Sequence, residues 1–382
     1  MASHKKHHYV PRFYLKLFSR DGKSINLLNL PSKRTIIGAP VKNQCYKDYF
    51  YGKDLHTENA LSIIESKMSR IIHSVVSDCE LPNPHSEDFL TFLIHILTQH
   101  SRTAYSADMH NEQVEKIVKI LMGPTIKEMN WPAADIDNIR ITLNNAPQYA
   151  LHIAAPLFPL IMDLKWKLLR ATGRQEFIVS DNPVVFYNQL FSFQKVGGKA
   201  GLASKGLEIF FPISPRHLVL LYDDNVYKVG ARKTNVINID NSHDMAQINR
   251  LQHVSALENI YFSDKNYPAL LEFEKSNRYL RRQKTYTRYV PEKGAEEYQN
   301  GLLLSSIEDV QTDLDVSFIK LVKPAKIWLI NFLKQKSRPL AVVRNEPLIE
   351  AWNQFMKLVE RGEYDERDFL AYIRQNNRQI AK

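Results

Sequence analysis

The spacing of hydrophobic residues changes once along this chain, and that change limits the fold more than any other feature. Between about residues 56 and 170, apolar residues recur every three or four positions, as in the stripes Leu61–Val75 and Phe89–Leu97. This is the spacing of amphipathic helices. From Lys165 to about Val229 the chain offers short apolar runs separated by turn residues, which are typical of strands, and Glu176–Ser180 is one of them. Two short apolar runs on either side of Pro31-Ser32, within residues 24–51, predict a small hairpin. The sequence therefore predicts an α+β fold in which a helical block packs on a mostly antiparallel sheet.

The length of the chain predicts more than one structural unit. A single hydrophobic core stops growing at roughly 250–300 residues, and this chain has 382. We predict an α+β domain over residues 1–265, a basic β or linker region over 266–340, and a C-terminal helical hairpin over 341–382. Gly362 stands where a glycine would end the first helix of that hairpin.

The charge balance favours an anionic partner. Lys and Arg number 51 against 41 Asp and Glu, a net charge of +10, which biases association toward nucleic acid, nucleotides or phospholipid. Cys45 and Cys79 are the only cysteines and no secretory signal is visible, so we expect a cytoplasmic location. We also expect no transmembrane segment, because the longest apolar stretch, residues 149–166, contains an aspartate and two prolines.

The N-terminal motif His7-His8-Tyr9-Val10-Pro11-Arg12-Phe13-Tyr14-Leu15-Lys16-Leu17-Phe18 carries the first candidate site residues. Adjacent residues of an extended segment point to opposite sides, so only one of the two histidines can face a given centre. Histidine, with a pKa near roughly 6.5, can act as general acid or base at neutral pH. Arg12 could bind a phosphate through two hydrogen bonds. A structural role for His7 and His8 at the entrance of a helix stays equally open.

Two further polar elements complete the candidate site. One is the Gln99, Ser101-Arg102-Thr103 element at a helix end, and the other is the turn Ser180-Asp181-Asn182-Pro183. In the catalytic hypothesis a histidine moves the proton and Asp181 orients that histidine or holds a metal. The catalytic candidates are His7, His8 and Asp181, and the substrate-binding candidates here are Arg12, Gln99, Arg102, Ser180 and Asn182.

Each of these elements has a structural alternative. Gln99 and Arg102 could satisfy helix carbonyls and a buried carboxylate such as Glu65. Asp and Asn side chains also stabilise turns by bonding to nearby backbone. A metal would need more ligands than Asp181 supplies unless Glu65 or His95 folded alongside it, so the metal-free reaction is preferred while metal and cofactor stay open.

The motifs together resemble those of the bacterial domain-of-unknown-function family 4238 (DUF4238). The resemblance rests on the N-terminal motif, the Gln99 to Thr103 element, the run Phe177-Ile178-Val179-Ser180-Asp181-Asn182-Pro183-Val184, and a closing helix and strand that include Asn249, Gln252 and Ile260-Tyr261-Phe262-Ser263. It covers about residues 4–265. The chain departs from the family at Ala104, where the family often has Pro. The resemblance implies an arrangement of polar motifs but no settled activity.

A basic stretch beyond the resemblance adds further candidates for substrate binding. Arg278, Arg281 and Arg282 alternate with Tyr279 and other tyrosines. Grooves for single-stranded nucleic acid combine such residues for phosphate contact and base stacking. The alternative is a solvated helix face.

These observations predict a nucleic-acid-binding protein, with RNA or DNA as partner and phosphodiester cleavage as its reaction. The alternative is a non-catalytic binding or regulatory module of a bacterial defence or stress system, in which the N-terminal motif is a structural clasp. The positions of the candidate residues in the folded protein distinguish these two hypotheses. Convergence of the candidates in an open positive cleft favours the enzyme, whereas burial with mutual hydrogen bonds favours the clasp.

Overall fold

The structure is a computed structural model. It describes residues 5–376 except 85, 130–131, 133–135, 137, 195–197, 264–266, 278–284, 292–300, 308–311, 340 and 366–367. Among the residues it describes, no helix combines the length and the apolar character needed to cross a bilayer.

The helices fall into an N-terminal block and a C-terminal set. The block contains α1 (Arg12–Leu17), α2 (His56–Asp78), α3 (Glu87–Ser101), α4 (Ala104–Leu121), α5 (Gly123–Glu128) and α6 (Ala146–Ala154), with 3-10 helices at Val41–Asn43 and Ala155–Ile161. The later helices are α7 (Ser242–Ser255), α8 (Tyr267–Asn277), α9 (Lys323–Leu333), α10 (Glu346–Glu360) and α11 (Phe369–Asn376).

The strands form several sheets that are antiparallel except for one pair. The strands are β1 (Lys6–His8), β2 (Ser24–Asn29), β3 (Arg34–Pro40), β4 (Tyr46–Asp48), β5 (Lys165–Ala171), β6 (Val179–Ser180), β7 (Val185–Tyr187), β8 (Glu208–Ser214), β9 (His217–Tyr222), β10 (Tyr227–Val229), β11 (Val236–Ile239), β12 (Asn259–Phe262), β13 (Thr285–Pro291), β14 (Gly301–Ile307) and β15 (Ile319–Leu321). A five-stranded sheet has the order β11-β5-β9-β8-β7, and only its β11–β5 pair is parallel. A four-stranded sheet has the order β3-β2-β12-β6, and three two-stranded sheets pair β1 with β4, β10 with β15 and β13 with β14.

The main core lies between the helical block and the five-stranded sheet. Phe89 and Phe92 of α3 meet Trp166 of β5 edge-on, with ring centroids 4.9 and 5.6 Å apart. Phe92 also contacts Phe211 of β8, and all three phenylalanines are buried. Such edge-to-face pairs add to the stabilisation from burial. The predicted α+β class, with helices on a mostly antiparallel sheet, is confirmed.

Several predicted elements are confirmed and two need correction. The expected hairpin after residue 24 is β2–β3, and Gly362, which follows the C-cap residue Arg361 of α10, has a φ of +75°, as a glycine that ends a helix does. The helical block was expected to reach about residue 170, but it ends at Ile161 and β5 begins at Lys165. Prolines at 156 and 159 lie in that last 3-10 turn, where they remove backbone donors that an α-helix needs. The strand expected over Glu176–Ser180 contains only Val179 and Ser180.

The region after residue 266 contacts the sheets. Phe332 of α9 and Ile319 of β15 belong to the same buried cluster as Leu220 of β9. The C-terminal helices α10 and α11 pack against Leu160 through a second cluster that contains Trp352. The boundaries drawn at residues 265 and 340 stay predictions.

Candidate functional site

The two histidines of the N-terminal motif face different environments, as strand alternation predicts. His7 is fully buried, and its Nδ1 accepts a hydrogen bond of 3.1 Å from the backbone N–H of Tyr51. Its ring stacks on the Tyr51 ring with centroids 5.8 Å apart. Nδ1 therefore carries no proton, and His7 is held inside the protein rather than presented to a substrate.

His8 lies half-buried beside the surface. Its Nε2 is 3.3 Å from the carbonyl of Lys42, which can only accept, so Nε2 carries the proton. Burial lowers the pKa of His8 to about 4, and the positive charges of Arg12 and Arg102 act in the same direction. His8 is therefore neutral at pH 7, and Nδ1 is its acceptor atom.

Arg102 joins the N-terminal motif to the end of α3 from inside the protein. Only 1% of its side chain is exposed, and Nη1 donates to Glu65 Oε1 over 2.7 Å. Nη2 donates to the carbonyl of His8 over 2.6 Å, and Nε donates to the hydroxyl of Tyr51 over 3.2 Å. The Tyr51 hydroxyl in turn donates to the carbonyl of Arg102 over 3.0 Å. Every nitrogen of the guanidinium thus binds a group of the protein itself.

Gln99 completes this arrangement one turn earlier in α3. It is buried, and its Nε2 donates to the carbonyl of Tyr9 over 3.1 Å. We name the set His7, Tyr51, Glu65, Gln99 and Arg102 the N-terminal clasp. Glu65 is the carboxylate partner of Arg102, as the structural alternative expected, whereas the carbonyls that Gln99 and Arg102 bind belong to Tyr9 and His8 rather than to a helix. The binding of a substrate anion by Arg102 stays a prediction, although each nitrogen of its guanidinium already donates to a group of the protein. Sequence reasoning missed Tyr51, since nothing in its neighbourhood marks it as a partner of Arg102.

Asp181 is also bound by the protein's own backbone. Its Oδ1 accepts from the N–H of Leu257 at 2.9 Å, and its Oδ2 accepts from those of Glu258 and Asn259 at 2.8 and 2.9 Å. Burial raises the pKa of Asp181 to about 6, although the three N–H groups favour the carboxylate. The predicted pair of Asp181 with His7 or His8 does not form, because Asp181 fixes the turn between α7 and β12 instead.

The residues on either side of Asp181 bind the closing helix α7. Ser180 Oγ donates to Gln252 Oε1 over 2.9 Å, and Asn182 Nδ2 donates to Ser255 Oγ over 2.8 Å. Both are buried and have these partners inside the protein. Substrate binding by Ser180 would therefore require breaking a bond that holds β6 to α7.

Of the remaining candidates, one lies at the surface and three lie outside the described residues. Arg12 lies exposed at the start of α1. Arg278, Arg281 and Arg282 fall outside the described residues, and their role in substrate binding stays a prediction. Within the part of the chain that the structure describes, no group of three or more His, Cys, Asp or Glu side chains could hold a metal ion.

A basic surface surrounds His8. Lys6 Nζ lies 4.2 Å from the centroid of the Tyr46 ring and 3.4 Å from Asn43 Oδ1, beside the exposed Lys42. Arg12 is close enough for its charge to act on His8. We name Lys6, His8, Arg12, Lys42 and Tyr46 the N-terminal basic surface. The nearest strand partner of Lys6 is Asp48, which is ion-paired to Lys5 at 3.0 Å.

A cavity of about 420 Å³ lies on another side of the same motifs. Its walls come from the α3–α4 junction, β7, the end of α7, residues 198–202 and β14. The ring of His100 lies flat on that of Phe186, with centroids 4.1 Å apart and planes 4° apart, and its Nδ1 is 3.3 Å from the carbonyl of Val184. Burial lowers the pKa of His100 to about 4. We name this the His100 cavity.

Sequence reasoning did not select His100. It lies five residues after His95, a spacing that places the two rings on different faces of a helix and does not suit a metal pair, and no other signal marks it. His95 in fact points into the core near Phe211, whereas His100 reaches the cavity. Its position inside the Gln99 to Thr103 element was the only available hint.

The comparison with known families agrees with the geometry of these motifs. The model of a family described as "Protein of unknown function (DUF4238)" matches residues 6–266. The chain belongs to the DUF4238 family. The resemblance drawn from the motifs is thus confirmed. We found no match to the DUF4238 chain among curated proteins or among solved structures.

Proposed function

We propose that this DUF4238 protein binds nucleic acid, and that the N-terminal basic surface contacts the phosphate backbone. The observation that carries the proposal is that Lys6, Arg12 and Lys42 are exposed and lack a carboxylate partner among the described residues. Unpaired cations of this kind are free to replace the counterions of a polyanion.

The N-terminal basic surface also contains an aromatic ring, which favours nucleic acid over a small inorganic anion as its ligand. Tyr46 is half-buried, and Lys6 covers one side of its ring at 4.2 Å. Stacking of bases on aromatic side chains beside cationic groups is the usual mode of single-strand binding. The net charge of +10 adds a long-range attraction for polyanions.

The proposal is for binding and leaves cleavage out. Arg102 and Asp181, which the catalytic hypothesis needs at the substrate, are buried in hydrogen bonds with the protein itself. The proposal therefore lies closest to the non-catalytic alternative of the sequence analysis. A cytoplasmic location and a place in a bacterial defence or stress system stay predictions.

The test is fluorescence anisotropy of labelled single-stranded RNA, single-stranded DNA and duplex DNA at several salt concentrations. With three phosphate contacts, the slope of log K against log salt should be about −2 to −3. The triple variant Lys6→Ala/Arg12→Ala/Lys42→Ala should reduce that slope to near zero. The charge-matched control is Lys228→Ala/Lys357→Ala/Arg361→Ala, which removes the same side chains from exposed positions elsewhere.

The control variant distinguishes binding at the N-terminal basic surface from a general attraction between the net positive charge and nucleic acid. Equal loss of binding in both triple variants would show that only net charge matters and would refute a role for the N-terminal basic surface. Absence of binding by the unmodified protein to all three nucleic acids at low salt would refute the proposed function. The same reactions, run on a denaturing gel with and without Mg²⁺, show whether any strand is cut.

A further inference from the structure

The His100 cavity differs chemically from the N-terminal basic surface. Among the described residues that line it, none is Asp, Glu, Lys or Arg. Its walls are mostly aliphatic and aromatic, with Leu97, Val185 and Phe186 among them. A charged ligand would lose its hydration there without gaining a counterion, which is strongly unfavourable. A phosphate-bearing ligand is therefore the wrong chemistry for this cavity.

The cavity nevertheless offers polar atoms that lack partners. The carbonyl of Val184 can only accept, so Nδ1 of His100 carries the proton and Nε2 is an acceptor. Within the described part of the chain, Nε2 of His100 makes no hydrogen bond. The Oγ atom of Ser306, also in the lining, is buried and has no hydrogen-bond partner among the residues described. Buried polar atoms are normally satisfied, so the Ser306 hydroxyl is an exception inside the fold, whereas Nε2 of His100 is an acceptor that is free to bind a ligand.

The wall that carries Ser306 is fixed in place. Gln113 Nε2 of α4 donates to Ser305 Oγ of β14 over 2.9 Å. On the paired strand β13, the backbone N–H of Thr285 donates to Glu112 Oε1 over 3.2 Å, and Lys116 Nζ donates to the carbonyl of Thr285. The hairpin β13–β14 is thus bound to α4 on both strands, and the cavity is a formed feature of the fold rather than a gap beside a loose segment.

We propose that the His100 cavity binds an uncharged, largely apolar small molecule that donates a hydrogen bond to Nε2 of His100. A volume of about 420 Å³ lies within the range of roughly 300–1,000 Å³ found for small-molecule sites. The flat, neutral His100–Phe186 pair supplies both the acceptor and an aromatic wall. This inference is independent of nucleic-acid binding, since it uses none of the residues of the N-terminal basic surface.

The test uses two fluorescent probes that differ by one charged group. N-phenyl-1-naphthylamine is neutral and carries one N–H donor, and 8-anilino-1-naphthalenesulfonate is the same framework with a sulfonate added. We expect the neutral probe to bind at one saturable site with a blue shift in emission, and the sulfonate to bind at least tenfold more weakly. Equal affinity for the two probes would refute the claim that the ligand is uncharged.

Variants show whether the probe occupies the cavity. Ala154 lines it and the adjacent Ala155 does not, so Ala154→Trp should abolish binding of the neutral probe while Ala155→Trp leaves it unchanged. His100→Phe keeps a flat ring but removes the acceptor, and should weaken binding about three- to tenfold, the worth of one hydrogen bond. Circular dichroism and thermal unfolding check that each variant is folded.

Besides equal affinity for the two probes, three results would overturn the proposal. The first is absence of saturable binding by the neutral probe, and the second is equal binding by the Ala154→Trp and Ala155→Trp variants. The third is an unchanged Kd in His100→Phe, which decides the matter by itself if Ala154→Trp does not fold.

Discussion

Replacing Arg102 tests the view that the N-terminal motif is a structural clasp. Arg102→Ala removes the partner of Glu65, of the His8 carbonyl and of the Tyr51 hydroxyl in one step. Removing one member of a buried ion pair costs about 3–5 kcal/mol, because the other is left uncompensated. The Glu65 side chain is 26% exposed and water can partly replace the arginine. We therefore expect Arg102→Ala to lower the free energy of unfolding by about 3 kcal/mol, near the lower end of that range.

The exposed Arg12 provides a matched control on the same motif. A surface arginine without an ion pair changes stability by about 0.5 kcal/mol or less. Arg12→Ala should therefore unfold like the unmodified protein while binding nucleic acid less well. Arg102→Lys should fall between the two, since lysine keeps the charge but cannot reproduce three hydrogen bonds in the planar geometry of the guanidinium.

The assay is equilibrium unfolding in urea, followed by tryptophan fluorescence and by far-ultraviolet circular dichroism. For a chain of this size, with a denaturant dependence of about 3 kcal/mol/M or more, a loss of about 3 kcal/mol shifts the midpoint by up to about 1 M. Agreement of the two signals shows whether one transition describes the unfolding. Equal midpoints for Arg102→Ala and Arg12→Ala would refute the clasp and return Arg102 to the list of substrate-binding candidates.

Three further predictions concern other buried groups. Asp181→Asn should lower the free energy of unfolding by about 1–3 kcal/mol in urea titrations at pH 7, because an amide N–H would face backbone donors that now bind a carboxylate; an unchanged midpoint would contradict this. Burial raises the pKa of Glu208 from 4.5 to about 8, so the folded state keeps a proton that the unfolded chain releases, and stability should fall as the pH rises from about 4.5 to 8. In the Glu208→Gln variant, the urea midpoints at pH 5 and pH 8 should differ less than in the unmodified protein. An equal difference in the two proteins would refute the role of Glu208 in the pH dependence. Trp352→Ala should cost about 3–5 kcal/mol locally, since its ring lies 4.9 Å from that of Phe369, and should speed proteolysis within residues 346–376; unchanged cleavage there would speak against that packing.

Local patterns predicted the helices and the hairpin because neighbouring residues decide them. The amphipathic stripe in Phe89–Leu97 was sufficient to place α3, and Pro31 with Ser32 between two apolar runs was sufficient to place β2–β3. The pairing of β1 with β4 could not be predicted in this way. Each strand has only 3 residues, and 37 residues separate them, so their pairing depends on the burial of His7 against Tyr51. That contact carries no local signal.

The hydrogen-bond partners of Asp181 could not be predicted for a related physical reason. The sequence shows that an aspartate follows an apolar run typical of a strand, but it does not show whether a histidine or three backbone N–H groups will satisfy the carboxylate. In the folded chain the N–H groups of residues 257–259 lie beside Asp181 because β12 pairs with β6. Arg102 was predicted more closely, since burial of a guanidinium requires a carboxylate, and Glu65 on the preceding helix was within reach.

Three of the four motifs that carry the family resemblance meet at the His100 cavity. His100 and Ser101 come from the Gln99 to Thr103 element, Asn182 from the turn after β6, and Ser255 from the closing helix, and all four residues line the cavity. Thr103 Oγ1 donates to Asn182 Oδ1 over 3.3 Å and so ties the first two elements together. The clasp around Arg102 fixes the end of the same helix α3 that presents His100. The buried hydrogen bonds of these motifs therefore set the position of the cavity walls, whereas the side chains of the N-terminal basic surface lie outside that network.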